Sequence, residues 1–202
     1  EPSVTGVKGA DGVDTFPVTE TIHEEEILRA SVSPARTDDQ TRDRAREVAH
    51  DVLEFLDGYG VYGIELFETE DGEVLINEIA PRPHNSGHWT IEGARTSQFE
   101  THVRAVLGWP LGSTDLEEPT VSVNVLGDVD DPEVATLHNV DSVLESPNAN
   151  LHWYGKKQAR PLRKMGHITV TDPDADGDDA DDPNGLLNRA ESLREGVTFV
   201  DE

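Results

Sequence analysis

The sequence predicts an α+β protein, an antiparallel sheet with helices followed by a smaller β-rich unit. Three observations carry that prediction. Two hairpin signals, Gly9-Ala10-Asp11-Gly12 and Asp71-Gly72, each separate short apolar runs. Two amphipathic stretches with capping signals read as helices. After Gly112 the texture changes to shorter apolar segments.

The elements follow in order. Ser3 to Glu20 reads as a hairpin about Gly9-Gly12. Thr37 to Gly58 is a helix, with Ala45, Val48, Ala49, Val52, Leu53 and Leu56 at helical spacing, a capping-box pair Thr37 and Gln40, and a terminal Gly58. Val61 to Arg82 is a second hairpin, stopped by Pro81 and Pro83. A polar loop, His84 to Thr90, follows. Ser97 to Trp109 is a second helix, capped by Ser97 and Glu100, with Phe99, Val103, Val106 and Leu107 as its expected buried stripe and Pro110 beyond it. Further on come a strand at Val121 to Leu126, a helix near Pro132 to Leu144, and strands at Leu151 to Tyr154 and Gly166 to Thr171. These divide the chain into a unit at 1–112, a small β-rich unit at 113–171, and an acidic insertion with a terminal helix at 172–202.

Composition excludes several functions. With 42 Asp and Glu against 16 Lys and Arg among 202 residues, the formal charge of -26 repels nucleic acid and anionic membrane. The acidic surplus fits a salt-adapted cytoplasm, where self-repulsion is screened. The absence of cysteine removes disulfides, zinc-thiolate sites and thiol catalysis. No apolar run reaches the ~20 residues of a membrane span, and the start has no signal-like segment, so the expected location is cytoplasmic. Met165 is the sole methionine, so Glu1 is not a translation start and the chain is expected to be the later portion of a longer protein.

Chemistry concentrates in two places. A turn centred on Asp71-Gly72 sets Glu65 opposite Glu78 across the second hairpin, with Cβ atoms ~5 Å apart. Two unit charges at that separation repel by ~1 kcal/mol in water and by more near a protein surface. A divalent cation removes that cost, and oxygen-only donors point to Mg²⁺ or Mn²⁺. The competing reading is a solvated acidic edge. The second place is basic: Lys156, Lys157, Arg160, Arg163 and Lys164 fall within nine residues and form a local anion trap suited to a phosphorylated small molecule, or else a patch that neutralises neighbouring acids.

The run Asn77-Glu78-Ile79-Ala80-Pro81-Arg82-Pro83-His84-Asn85-Ser86-Gly87-His88-Trp89-Thr90 resembles 5-(carboxyamino)imidazole ribonucleotide synthase, an ATP-grasp carboxylase of purine biosynthesis. So do Thr96-Ser97-Gln98-Phe99-Glu100, Tyr154-Gly155-Lys156, Arg160-Pro161 and Arg163-Lys164-Met165-Gly166-His167. The resemblance runs from Glu1 to about Thr171. It implies the C-terminal half of an ATP-grasp domain followed by a small β-rich C-terminal domain. The implied reaction is ATP-dependent carboxylation of 5-aminoimidazole ribonucleotide by bicarbonate through carboxyphosphate, with Mg²⁺ as cofactor and a homodimer as the full-length assembly. Residue by residue it implies Glu65 and Glu78 as metal ligands, and Glu1, His23, Asn77 and Glu78 at ATP. Arg82 and His84 match positions around bicarbonate and the ribonucleotide, and Lys156 and Arg163 match its phosphate ligands. An ideal strand would turn Asn77 away from Glu78, so its contact needs a local twist.

Other readings are a related ATP-grasp ligase, such as the formate-using glycinamide ribonucleotide transformylase, and a non-catalytic domain. The family's first ATP-grasp half is missing from the sequence, so these residues alone are expected not to turn over. The tract from Asp172 to Asp182, with seven aspartates in eleven residues, begins like a calcium loop but has Pro183 where a bidentate Glu belongs. It reads as a solvated insertion.

Overall fold

The computed structural model of the chain describes residues 1–69, 71–174 and 183–199. Most of the aspartate tract lies outside these residues. In chain order the elements are β1 (Pro2–Gly9), β2 (Gly12–Thr15), β3 (Thr19–Glu24), β4 (Ile27–Ser33), α1 (Asp39–Phe55), β5 (Gly60–Glu68) and β6 (Val74–Ala80). A 3-10 turn (Asn85–Gly87), α2 (Thr90–Gly93) and α3 (Gln98–Val106) follow. Then come β7 (Thr120–Leu126), β8 (Glu133–Val134), α4 (Asp141–Leu144), β9 (Ala149–Trp153), β10 (Gln158–Ala159), β11 (Lys164–Thr171) and α5 (Pro183–Gly196). One antiparallel sheet takes the order β6-β5-β1-β3-β4-β7-β11-β9, with β2 added to β1, and β8 pairs with β10 separately.

The β4–β7 ladder, from Ala30 opposite Val123 to Ser33 opposite Thr120, joins the strands before residue 81 to those after residue 119 in one sheet. Two apolar cores lie along it. Val4, Ile64, Leu66 and Val74 pack under Ala45, Ala49 and Leu53 of α1, and Val121, Val123, Val125, Ile168 and Val170 pack with Leu186, Leu187 and Ala190 of α5. The terminal helix expected within 172–202 is thus part of a core.

Several sequence expectations need correction. The hairpin β3–β4 begins at the end of the expected Ser3 to Glu20 hairpin and runs through residues 21–33, for which local pattern predicts no element. Helix α1 starts at Asp39, and its cap is Asp38, whose carboxylate accepts from the Thr41 amide at 2.8 Å; the Thr37–Gln40 box does not form the cap. The helix expected at Pro132 to Leu144 shrinks to α4 behind the short strand β8. In α3 the Ser97 cap holds, its hydroxyl accepting from the Glu100 amide at 3.2 Å. Its apolar stripe, however, faces outward: Phe99 is 41% and Leu107 54% exposed, while Gln98, Thr101 and Ala105 are buried. The small and polar face packs inward because the strand beneath it comes close: His102 Nδ1 accepts from the Val61 amide at 3.0 Å, and a Cβ on Gly60 would meet the His102 ring at 2.9 Å.

Helix α1 has no basic residue in its last turn. Lys8 of β1 takes that role from outside, its Nζ donating to the carbonyls of Leu53, Glu54 and Leu56 at 2.9, 3.3 and 2.7 Å. These belong to the orphan acceptors of a helix C-terminus, where a cation also meets the negative end of the macrodipole.

Strand β7 reads Thr-Val-Ser-Val-Asn-Val-Leu, and such alternation ordinarily leaves one face in water. Here every residue is buried. The valines enter the α5 core, and the opposite face, with Ser122, Asn124, His167 and Thr169, is covered by the loop and short helices between β6 and α3. That loop is anchored by Trp89, fully buried against Phe16 in an edge-on pair with centroids 6.3 Å apart. Where it meets the sheet, His88 lies 4.7 Å from the His167 ring, and His152 stacks on His167 at 4.3 Å. Burial pushes His88 down to about 4 and His167 further still.

Two outcomes follow. Replacing Lys8 by Met should lower stability by about 1–2 kcal/mol in urea titration, and an unchanged midpoint would show that water serves those carbonyls equally well. His88 is held below its ordinary 6.5 in the folded state, so the unfolded chain takes the proton first. Stability should therefore hold above about pH 6.5 and decline as the pH falls toward about 4, with His88→Asn flattening that decline in thermal melts across the same range.

Candidate active site

Strands β5 and β6 carry the carboxylate pair. Ile64 and Leu66 face α1, so Glu65 between them faces the other side of the sheet, and Glu78 lies directly opposite Glu65 in the ladder. The turn does not produce this register by itself. Near the turn Glu68 pairs with Val74 and Leu66 with Ile76, a spacing that would bring Asn77 opposite Glu65. The ladder then shifts by one residue between Glu65 and Leu66, so that Asn77 is the extra residue of a β-bulge. Ile76 pairs with Leu66 and Ile79 with Ile64, both on the α1 side, which leaves Asn77 and Glu78 together on the Glu65 side. The bulge is the local twist that an Asn77 contact beside Glu78 required.

The loop after β6 returns across this face. His84 Nδ1 lies 3.7 Å from a Glu65 carboxylate oxygen and 3.0 Å from the Ser86 hydroxyl, which in turn contacts the Ser3 hydroxyl at 3.0 Å. Gly63 makes this approach possible, since a Cβ there would sit 2.5 Å from the Cβ of His84. Buried Gln98 clamps the His84 backbone, accepting from its amide at 2.9 Å and donating to its carbonyl at 2.7 Å. Nothing in the residue pattern marked Gln98 for this task, because a glutamine at the start of a helix is usually exposed. Arg82 is exposed, with its guanidinium turned to the Pro83 carbonyl at 3.1 Å.

Glu1 and His23 join from the neighbouring strands, with His23 Nδ1 3.2 Å from a Glu1 carboxylate oxygen. The basic segment closes the other side. Lys164, the first residue of β11, interacts electrostatically with Glu65, Arg82 and Lys156. Lys156 donates to the Lys164 carbonyl and lies over the Tyr154 ring, its Nζ 5.4 Å from the centroid. Arg163 donates to the Gln158 carbonyl at 3.0 Å. Sequence spacing puts Lys164 in the basic cluster, and the fold adds its interaction with Glu65.

Burial dominates the electrostatics of the site. Burial raises the Glu65 carboxyl above its ordinary value; His23 opposes the shift, Glu78 and Glu1 add to it, and Lys164 opposes it. Burial pushes His84 down to about 4, helped by Arg82 and Lys164. Lys164 is likewise lowered, by burial first. His84 is therefore neutral at pH 7, able to accept or donate a hydrogen bond without carrying charge. Among the described residues no three His, Asp or Glu side chains form a closed metal cage.

The chain is similar to known proteins over most of its length. Residues 1–99 match the ATP-grasp domain family, and residues 120–179 match the phosphoribosylaminoimidazole carboxylase C-terminal domain. The N5-carboxyaminoimidazole ribonucleotide synthase of Bacillus subtilis is 46% identical over 170 residues, covering 84% of this chain and 43% of that protein. The phosphoribosylaminoimidazole carboxylase of Schizosaccharomyces pombe is 45% identical over 177 residues, covering 84% of this chain and 32% of its own length. The crystal structure of the Thermotoga maritima N5-carboxyaminoimidazole ribonucleotide synthetase superposes with a TM-score of 0.86 at 40% identity, covering all of this chain and 52% of that one. An Aspergillus clavatus synthase in complex with ADP and 5-aminoimidazole ribonucleotide gives 0.80 at 38% identity, over 95% of this chain and 48% of that one. The chain thus spans about half the length, or less, of these relatives. With both family domains matched in their order and the sheet superposed throughout, the chain belongs to the N5-carboxyaminoimidazole ribonucleotide synthase family of ATP-grasp proteins.

Proposed function

We propose that this chain supplies the metal-binding and ribonucleotide-phosphate side of an ATP-dependent carboxylase acting on 5-aminoimidazole ribonucleotide. The observation that carries the reading is the bulged pairing that puts Glu65, Glu78 and Asn77 on one face, beside neutral His84 and the basic residues Arg82 and Lys164. In the reaction a bicarbonate oxygen attacks the γ-phosphorus of ATP and ADP departs, leaving carboxyphosphate. The exocyclic amine then attacks the carboxyl carbon, the C–O bond to phosphate breaks, and the amine gives up a proton.

Glu65 and Glu78 fit a Mg²⁺ or Mn²⁺ ion, because two carboxylates without a closed cage suit a hard cation that takes its remaining oxygens from water and phosphates, and the raised Glu65 carboxyl marks charge in need of compensation. When bound, such an ion offsets charge on the transferring phosphoryl group. Asn77 and Glu1 orient the nucleotide, with His23 holding the Glu1 carboxylate. Arg82 stabilises negative charge on bicarbonate and carboxyphosphate. His84 orients bicarbonate or the attacking amine by a hydrogen bond. Lys156 and Arg163 take the ribose phosphate, Lys as a point charge and Arg through its planar fork, and Lys164, placed between Glu65 and Lys156, balances charge between the two subsites.

Titration with Mn²⁺ should show weak binding to the chain that strengthens when ATP is added, and Glu78→Gln should weaken it by roughly tenfold or more. Equal binding by the two proteins would refute the metal reading. In the full-length protein carrying this chain, Arg82→Ala should lower bicarbonate- and ribonucleotide-dependent ADP release by about a hundredfold in kcat. Loss in KM alone would make Arg82 a binding residue only.

A further inference from the structure

The loop that carries Arg82 and His84 meets the segment after β9 that carries Lys156, and the strand β11 that begins at Lys164, through a hydrogen-bonded series whose proton positions are dictated from one end. Asn124 of β7 donates from Nδ2 to the Leu28 carbonyl at 2.8 Å. A carbonyl only accepts, so this contact decides which end of the Asn124 amide is nitrogen. Asn85 pairs with it reciprocally, accepting at Oδ1 from Asn124 Nδ2 at 2.7 Å and donating from Nδ2 to Asn124 Oδ1 at 3.1 Å. The Asn85 amide is thereby oriented as well, and its Nδ2 lies 2.9 Å from His88 Nδ1. His88 Nδ1 is therefore a bare acceptor, with the ring proton on Nε2.

The hydroxyl of Tyr154 lies 3.0 Å from that same nitrogen and 2.8 Å from His167 Nδ1. It has one proton to donate. His88 Nδ1 has one lone pair, which the Asn85 N–H and the Tyr154 O–H share; a hydroxyl proton turned to His167 instead would set oxygen and nitrogen lone pairs against each other at 3.0 Å, so the oxygen accepts from His167 Nδ1–H. This leaves His167 Nε2 bare, and that atom is buried without a hydrogen-bond partner. A stranded lone pair is the tolerable outcome, since a buried N–H without an acceptor is the rarer case in folded proteins. Burial keeps both imidazoles neutral, consistent with the series. The Tyr154 ring is the surface over which Lys156 lies.

We infer that Tyr154 is a positioning residue: its hydroxyl joins His88, at the end of the loop bearing Arg82 and His84, to His167 on β11, and so holds Lys156 in a fixed relation to that loop. Its functional half rests on the reading of Lys156 as a phosphate ligand.

Long-range ¹⁵N–¹H spectra of the imidazoles of the unaltered chain decide the proton positions. His88 should show a bare Nδ1 and a protonated Nε2, and His167 the reverse. The opposite tautomer at either ring overturns the series. Tyr154→Phe keeps the ring under Lys156 and removes only the hydroxyl. It should release His167 into mixed tautomers and weaken binding of ribose 5-phosphate, followed on the Lys156 side-chain signals, by roughly two- to tenfold. Unchanged affinity overturns the positioning role. If the unaltered chain binds no ribose 5-phosphate, the phosphate reading of Lys156 and the functional half of the inference fall together, while the tautomers still decide the series.

Discussion

Two carboxylates held face to face on a sheet are a cost that a fold does not carry idly. Glu65 and Glu78 oppose each other only because a bulge at Asn77 corrects the register set by the turn, and a regular ladder would have separated them. The same extra residue brings Asn77 to their side. Around this pair the other parts fall into place: Gly63 admits His84, Gln98 holds the backbone of that histidine, and Glu1 and His23 approach from the adjoining strands. The proposed metal would turn the repulsion into binding energy, since a cation gains from both charges while the free protein bears the cost of keeping them apart from other partners.

The second constraint is the buried polar face of the sheet. Strands β7 and β11 are apolar on one side and lined with Ser, Thr, Asn and His on the other, yet both sides are covered. Burying such a face is unfavourable unless its groups are paired. The amide pair Asn85–Asn124 and the group of His88, Tyr154 and His167 meet part of that demand where the β6–α3 loop crosses β7 and β11, while His167 Nε2 and Thr169 Oγ1 stay without a hydrogen-bond partner. Directional bonds of this kind set orientation more tightly than apolar packing does, which suits a junction between residues proposed to act on two ends of one substrate.

Much of this was legible from local pattern. The two hairpins, the helices α1 and α3 and the Ser97 cap follow from turn residues and periodicity, whereas the opposition of Glu65 to Glu78, expected from a turn centred on Asp71-Gly72, comes about through the bulge at Asn77. The misread features share a cause. The apolar stripe of α3 obeys helical periodicity but faces outward, because close approach to β5 selects small and polar residues for the inward side. Period alone says that a helix has two faces and leaves open which one meets the sheet. Alternation in β7 likewise looks half-exposed until a loop from a distant part of the chain covers it.

The sequence by itself determined the element types over most of the chain, the acidic charge balance, and the residues with the chemistry for a cation and a phosphate, since these depend on neighbours within a turn or two. Only the tertiary structure decided that Asn77 and Glu78 share a face, that Gln98 holds the His84 backbone, that Lys164 interacts with Glu65, and that the Tyr154 hydroxyl lies between His88 and His167. Those are contacts between segments remote in the chain, where burial and geometry, which local pattern does not encode, choose the partner. The carboxylate pair belongs to both: the residues were written in the sequence, and a single extra residue in β6 set their alignment.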